Sequence, residues 1–446
     1  MKKIALLALS SVFALSLTAC GSGAKDSGNK EAASASPSPA STKASETAAA
    51  TKTPKKDITI KVFQFKVEID EKLKAMAKEY EKETGVKVDI ETHGGGEDYG
   101  ALLRATLAAG EEPEIFNNGG FASLVPYMDR ATDLSNESWV KDVIEVAKAP
   151  TTVDGKLYGM PMNVEGYGLI YNKDLFAKAG IDKLPTTLTE LEATAKKLKD
   201  AGITPFMLTN EWWSLGIHLA NVGISNQENP AQFVEDVKAG KATFKDNATM
   251  KEWVKLVELM FKYGQTNALT TDYNSQVTGF ASGQAAMMQQ GNWVQSMIDG
   301  VTPNMNIGTI PLPINDTTSG YVYTGVPNNW IVNSKSAHPD EAKKFLEWMV
   351  TSDTGKHYIA TEFKFIPALT SIPADSAAIG PIATELNKLQ ADHPDRVKGW
   401  HWDRFPDGTT QGLGAAMQEF MGKRITSDQL LEKFDKAVAD IMAKQK

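Results

Sequence analysis

Between Asp57 and Glu91 the spacing of apolar residues changes twice. "DITIKVFQF" alternates Ile58, Ile60 and Val62 with polar residues, the period of two that an extended strand imposes. Leu73, Met76, Ala77 and Tyr80 then recur at helical spacing, and Gly85 is placed to end the helix. "VKVDIE" alternates again. The segment reads as a βαβ unit, and a further helix around Tyr99 to Ala109 with a short strand at "EIFNN" extends it into an open, largely parallel sheet flanked by helices. Ligands bind such sheets beyond the carboxyl ends of the strands. Those ends are Gln64 to Lys66, His93 to Gly96 and Phe116 to Gly120.

The body containing this unit runs from about Asp57 to Lys446. At about 390 residues it exceeds what one hydrophobic core supports, so two lobes are expected. Ahead of it, Lys2 and Lys3 precede an apolar run, Ile4 to Leu17, of about 14 residues, which suits a secretory signal and is short for a membrane span. "SLTACGSG" holds the only cysteine of the 446 residues, Cys20, and resembles a bacterial lipobox, in which the cysteine is lipidated and becomes the first mature residue. The other reading is an ordinary cut near Ala19. Residues 21–56 are almost entirely Gly, Ala, Ser, Thr, Pro, Lys and Glu and cannot bury enough apolar surface to order themselves. They form a tether, with a reach on the order of 35 Å.

Composition excludes several chemistries. The net charge of −8 becomes two units more negative once Lys2 and Lys3 are removed, so nucleic acid is not an expected partner. One cysteine permits neither an intrachain disulfide nor a thiolate metal cluster. The six histidines have no H-x-x-x-H or H-E-x-x-H spacing, so no metal site is expected, nor any other cofactor. The run Gly94-Gly95-Gly96 matches no phosphate-loop pattern and reads as a loop that brings backbone close to something.

Residues 154–206, "DGKLYGMPMNVEGYGLIYNKDLFAKAGIDKLPTTLTELEATAKKLKDAGITPF", parse as a strand pair, a helix at Lys173 to Ala179, and a helix opened by Thr187 and Glu190 in capping-box spacing. As a string they resemble the signature region of family 1 extracellular solute-binding proteins, the maltose-binding-protein-like receptors of sugar ABC transporters. "AGEEPEIF", "GFASGQAAMMQQGNWVQSMI" and "HPDEAKKFLEWMVTSDTGKHY" resemble further family segments in the same order. Two departures stand out: Glu114 replaces a usual aspartate, and Asn117 and Asn118 stand where sugar-binding relatives often carry an aromatic.

The resemblance implies an α/β, two-lobe periplasmic-binding-protein-like fold with a hinge, each lobe an open sheet flanked by helices. The expected division is a signal at 1–19, lipidated Cys20 and tether at 20–56, an N-terminal lobe of 57–163 plus 308–370, and a C-terminal lobe of 164–307 plus 371–446. The chain would cross between lobes near Met162 to Glu165 and near Asn306 to Pro311.

Nine tryptophans divide by context. Trp253 and Trp348 sit at helical spacing among apolar residues and read as core, while Trp139 carries no signal. Trp212, Trp213, Trp293, Trp330, Trp400 and Trp402 lie instead among polar and turn residues. A sugar ring packs its C–H faces on an indole while its hydroxyls need amides and carboxylates. Each stack is worth about 0.5–1.5 kcal/mol beyond area burial, and each hydrogen bond to a charged group about 1.5–3 kcal/mol.

The resemblance selects Trp293 as the stacking residue, Glu211 and Trp213 as an acid and aromatic in one loop, and Glu165 as an acid at the hinge. Gln64 and Asn118 sit at strand ends, and Trp330 and Trp402 complete the expected ligand-binding set. "GWHWDRF" leaves Trp400, His401 and Asp403 open between the cleft and a packed corner, and Asp272 reads as a helix cap. No catalytic residue is expected. The functional expectation is a monomeric, lipid-anchored receptor on the extracytoplasmic face of a cell membrane, more in keeping with a Gram-positive surface than a periplasm. It would capture a carbohydrate between the two lobes, with an oligosaccharide expected, and deliver it to ABC transporter permease subunits. The alternatives are a secreted lipid-anchored glycosidase, which needs two suitably spaced acids, and a carbohydrate-sensing or adhesive lipoprotein.

Overall fold

The computed structural model describes residues 57–444. The signal at 1–19, Cys20 and the tether at 20–56 lie outside the described residues.

The chain opens with β1 (Thr59–Gln64), the helix Asp70–Thr84, β2 (Lys87–Thr92), the helix Tyr99–Ala108 and β3 (Ile115–Asn118). β4 (Thr152–Val153) and β5 (Lys156–Leu157) make a hairpin, and β6 (Met160–Pro161) leads into the long strand β7 (Asn163–Asn172). β8 (Thr204–Met207), β9 (Ala285–Gly291), β10 (Ile307–Ile310) and β11 (Val322–Gly325) follow among helices. Last come β12 (Asn329–Val332), β13 (Ile366–Pro367) and β14 (Val397–Gly399).

These strands form two principal sheets. The first has the order β2-β1-β3-β12-β6, with β1 parallel to β2 and β3 and with β12 antiparallel to both its neighbours. The alternation read in the sequence is the burial pattern: Ile60 and Val62 are buried and Lys61 is exposed. The Asp70–Thr84 helix buries Leu73, Met76, Ala77 and Tyr80 and ends on Gly85, whose φ of 77° suits glycine. Around them lies a core that includes Trp139, Trp330 and Phe345.

The second sheet has the order β14-β11-β7-β9-β8, with β10 also on β7. Its centre is β7, paired antiparallel along one edge with β9 and along the other with β11 and β10. Tyr167, Phe206, Trp253 and Phe280 belong to its core. Here too the local reading of the helices holds: Thr187 Oγ1 accepts from Glu190 N at 3.2 Å, although the Glu190 carboxylate reaches Thr186 N rather than its own cap. Asp272 caps the helix Tyr273–Ala281 by accepting from Ser275 N at 2.7 Å.

β7 is the first crossing between the two cores, since Val164 packs on the first and Tyr167 lies inside the second. The return expected at Asn306 to Pro311 lies elsewhere. β10 and β11 remain on β7, because Ile307, Ile310, Leu312, Ile314, Val322 and Tyr323 are all buried in the second core. The chain returns instead between Gly325 and Asn329, so residues 308–325 belong with the second sheet. It crosses a third time after Ile372, still in the first core, and before Ile382, in the second. Among the described residues no helix is long and apolar enough to cross a membrane, and no group of His, Cys, Asp and Glu is arranged to hold a metal.

Candidate functional site

A cavity of about 250 Å³ lies between the sheets. Its first wall is made of the segments that leave the carboxyl ends of β1, β2 and β3: Phe65–Glu68, His93–Gly100 and Asn117–Gly119. Its second wall comprises Glu165 of β7, Trp212, Trp213, Ile217 and His218, then Tyr273, Trp293, Trp402 and residues of the stretch from Phe405 to Gln411. Glycine makes the first wall possible. A Cβ on Gly94 would sit 2.0 Å from the carbonyl oxygen of Phe65, and Gly96 holds a φ of +124°.

At the base of the cleft Lys66 Nζ lies 2.5 Å from Glu165 Oε1, with both side chains almost wholly buried. Asn163 Nδ2 donates to the same carboxylate oxygen at 2.9 Å. Burial alone would lower the Lys66 pKa, but the carboxylates of Glu165 and Glu68 outweigh it and hold the ammonium above its ordinary value. Three further contacts join the walls. Tyr273 Oη donates to Glu68 Oε1 at 2.6 Å, Trp212 Nε1 donates to the Gly96 carbonyl at 3.2 Å, and Arg104 Nη1 lies 3.1 Å from Asp407 Oδ2.

The aromatic wall is built from beneath. Trp293 Nε1 donates to Gln290 Oε1 at 3.0 Å, and Gln290 Nε2 donates to Gln276 Oε1 at 2.8 Å, so a chain of buried amides sets the indole. The ring folds over Gly291, where a Cβ would come within 2.2 Å of it. His218 lies 4.7 Å from the Trp293 ring and 5.5 Å from that of Trp213, centroid to centroid, and Trp213 meets Tyr273 edge-on at 5.0 Å. His218 belongs to the wide π-helical turn Ser214–Leu219. Gly216 lets that turn approach the helix Thr409–Met421, since a Cβ there would lie 2.3 Å from the Thr410 carbonyl oxygen. Burial, with a smaller effect of Lys66, pushes the His218 imidazole down to about 3, so it is neutral at physiological pH.

Several buried polar atoms around the cavity have no protein partner: Asn117 Nδ2, His218 Nδ1 and Trp402 Nε1. Buried donors and acceptors are normally satisfied. A site that offers indole faces beside such atoms suits a ligand with both C–H faces and hydroxyls.

Of the residues singled out in the sequence, Asn118, Glu165, Trp213, Trp293 and Trp402 line the cavity. Asn118 spends its side chain on the adjoining loop, donating to Ser123 O at 3.0 Å and accepting from Gly120 N at 2.7 Å. Three do not line it. Gln64 is buried and clamps the backbone of Lys66, accepting from its N at 2.6 Å and donating to its O at 3.2 Å. Glu211 stands behind the wall, accepting from Tyr273 N at 3.2 Å and lying close to Gly96. Trp330 is a core residue, 1 % exposed, with its indole N–H on the Met162 sulfur.

Trp400 is buried against Gly325, where a Cβ would meet its ring at 2.4 Å, and it does not line the cavity; neither do His401 and Asp403. Trp212, one of the six tryptophans set among polar residues, lines it as well, and so do Lys66, Tyr99, His218 and Tyr273, which were not chosen from the sequence. Of these, Trp212 carried the signal of its polar surroundings and Lys66 that of a strand end; Tyr99, His218 and Tyr273 look like ordinary helix or loop residues until the two walls face each other.

Two α/β lobes joined by crossing strands, with a partly enclosed cleft between them, define a solute-binding protein of the bilobal kind. Residues 66–356 match the family described as bacterial extracellular solute-binding protein, and the chain belongs to that family. It is 26 % identical over 312 residues to the multiple sugar-binding protein of Streptococcus mutans, covering 68 % of this chain and 73 % of that one. It is 26 % identical over 377 residues to a maltooligosaccharide ABC transporter solute-binding lipoprotein of Streptococcus pneumoniae, covering 80 % and 78 %. Among solved structures, a chitin oligosaccharide binding protein superimposes with a TM-score of 0.76 at 23 % identity, over 86 % of this chain and 99 % of that one, a likeness of fold.

Proposed function

We propose that this protein captures an oligosaccharide in the cleft and delivers it to the permease of an ABC importer, held at the outer face of the cell membrane by a lipid on Cys20. The observation that carries the reading is the cavity itself, where the indoles of Trp213, Trp293 and Trp402 stand beside unpartnered Asn117 Nδ2 and His218 Nδ1. A pyranose supplies both counterparts. Asn118, Glu165, Trp213, Trp293 and Trp402 are the ligand-binding residues in this reading, joined by Lys66, His218 and Tyr273. The names of two relatives, a multiple sugar-binding protein and a maltooligosaccharide-binding lipoprotein, support the substrate class and the anchor.

Capture favours closure because ligand gains contacts from both walls only when they approach, and a hinge through β7 and the Gly325–Asn329 return permits that motion. The closed form is the signal a permease reads. Hydrolysis is disfavoured by how the acids are used: Glu165 is neutralised by Lys66, and Glu68 accepts from Tyr273.

Intrinsic tryptophan fluorescence tests the proposal. Titration with a panel of oligosaccharides gives a saturable change with no release of reducing ends. Steady product formation would make the protein a glycosidase, and no response to any sugar would remove the carbohydrate reading.

A further inference from the structure

The charges of the cavity wall are one-sided. Two cations, Lys66 and Arg104, and five carboxylates, Glu68, Glu97, Asp98, Glu165 and Asp407, line it. Each cation is already matched within the wall, Lys66 by Glu165 at 2.5 Å and Arg104 by Asp407 at 3.1 Å. Glu68, Glu97 and Asp98 face neither cation at ion-pair distance, although Glu68 accepts from Tyr273 Oη at 2.6 Å and Glu97 Oε2 lies 3.2 Å from Nδ1 of His93, which also lines the wall. Asp98 accepts from Ala101 N at 3.0 Å as the cap of the Tyr99–Ala108 helix. His218 adds no charge, and the unpartnered atoms Asn117 Nδ2 and Trp402 Nε1 are neutral donors fitted to hydroxyl oxygens.

We propose that this site selects carbohydrates by charge, accepting uncharged and amine-bearing sugars and rejecting those that carry a carboxylate, sulfate or phosphate. The inference rests on the carbohydrate reading above and narrows it. An anionic group entering the cleft meets three like charges and, among the described residues of the wall, no unmatched cation. To gain one it must draw Lys66 from Glu165, which strands a carboxylate at low exposure, or Arg104 from the partly exposed Asp407. Glu97 is exposed and Glu68 and Asp98 are half-buried, so the repulsion is felt in the cleft yet remains open to screening by salt. An ammonium group experiences the reverse.

The test uses the full chain and matched sugars: gluco- and galacto-configured di- and trisaccharides in neutral, 2-amino and uronate forms, titrated by tryptophan fluorescence. A neutral or amine-bearing member binds, its uronate counterpart binds at least tenfold more weakly, and the gap narrows when salt is raised to about 1 M, where the screening length falls to about 3 Å. In the double variant Glu97→Gln, Asp98→Asn, which retains a helix-capping side chain, the ratio of neutral to uronate affinity shrinks at least threefold. A uronate that binds within threefold of its neutral counterpart, or more tightly, overturns charge selection and leaves the carbohydrate reading standing. Failure of every sugar, whatever its charge, overturns both.

Discussion

Lys66, leaving the end of β1, and Glu165, on the crossing strand β7, meet in a buried ion pair 2.5 Å long that ties the first sheet to the second at the base of the cleft. A buried pair is costly to break from one side, because the remaining charge has no water to turn to. Lys66→Met is therefore expected to lower the free energy of unfolding by about 3–5 kcal/mol, and Glu165→Gln by a similar amount. The double variant Lys66→Met, Glu165→Leu recovers most of that loss. Urea unfolding of the three variants measures both statements.

The tryptophans separate affinity from stability. Trp213 is half-buried on the cavity wall, so Trp213→Ala weakens sugar binding at least tenfold, about 1.4 kcal/mol, and changes the unfolding midpoint less than it changes affinity. Trp330 is its opposite: Trp330→Ala opens a void in the first core, costs about 3–5 kcal/mol of stability, and leaves the affinity of the folded protein within about twofold of the parent. Trp293→Ala lowers both, because its indole also anchors the Gln290–Gln276 amide chain. Parallel titration and denaturation of the three proteins checks the ranking.

Gly94 has no room for a side chain. Gly94→Ala must displace the loop from Phe65, because its Cβ would lie 2.0 Å from a backbone oxygen. The expected result is a lowered Tm and a weakened sugar affinity in the same protein, whereas Gly110→Ala, at a positive φ with open space around its Cβ, lowers Tm alone.

Two buried groups tilt the pH dependence in opposite directions. Burial pushes the Asp403 carboxyl up to about 7, although Arg404 pulls it down. A carboxyl whose pKa is raised by folding favours the native state when protonated, so this contribution is full below about pH 4 and is lost as pH rises to about 7. Asp403→Asn should accordingly gain stability over the parent across that interval and hold the gain above it. His218, pushed down to about 3, favours the native state when neutral. Its contribution is full above about pH 6.5 and is lost as pH falls toward 3, a loss that His218→Asn escapes. Unfolding free energies of the three proteins between pH 4 and 8 separate the two effects.

Cys20 is expected to hold the protein at the membrane. Cys20→Ser releases it into the soluble fraction with its sugar affinity unchanged, a result read by fractionation followed by the same fluorescence titration.

The first βαβ unit was legible because the Asp70–Thr84 helix and β2 each bury one face and keep a strict apolar period, and β1 alternates from Ile60 to Val62 before it buries Phe63 in a second cluster. The caps at Thr187 and Asp272 were equally legible, being contacts between residues three apart. The return crossing was not. β10 and β11 are short and nearly continuous in apolar character, and either sheet could have taken them; the choice of β7 as partner depends on packing against Tyr167, Leu169 and the rest of the second core.

The candidate site divides in the same way. Trp213, Trp293 and Trp402 could be found from polar neighbours in the chain and family likeness, whereas Trp330 in a similar polar setting is core. By itself the sequence determined the α/β class through its local apolar period and, through the likeness of its segments to known ones, the family. Only the tertiary structure decided that Lys66 pairs with Glu165, that His218 is buried neutral beside Trp293, and that Gln64 and Glu211 support the walls from behind. Apart from the Gln64 clamp on Lys66, two positions away, those outcomes depend on contacts between residues tens of positions apart, and which side of a wall a polar group faces is set by the packing of both lobes rather than by its neighbours in the chain.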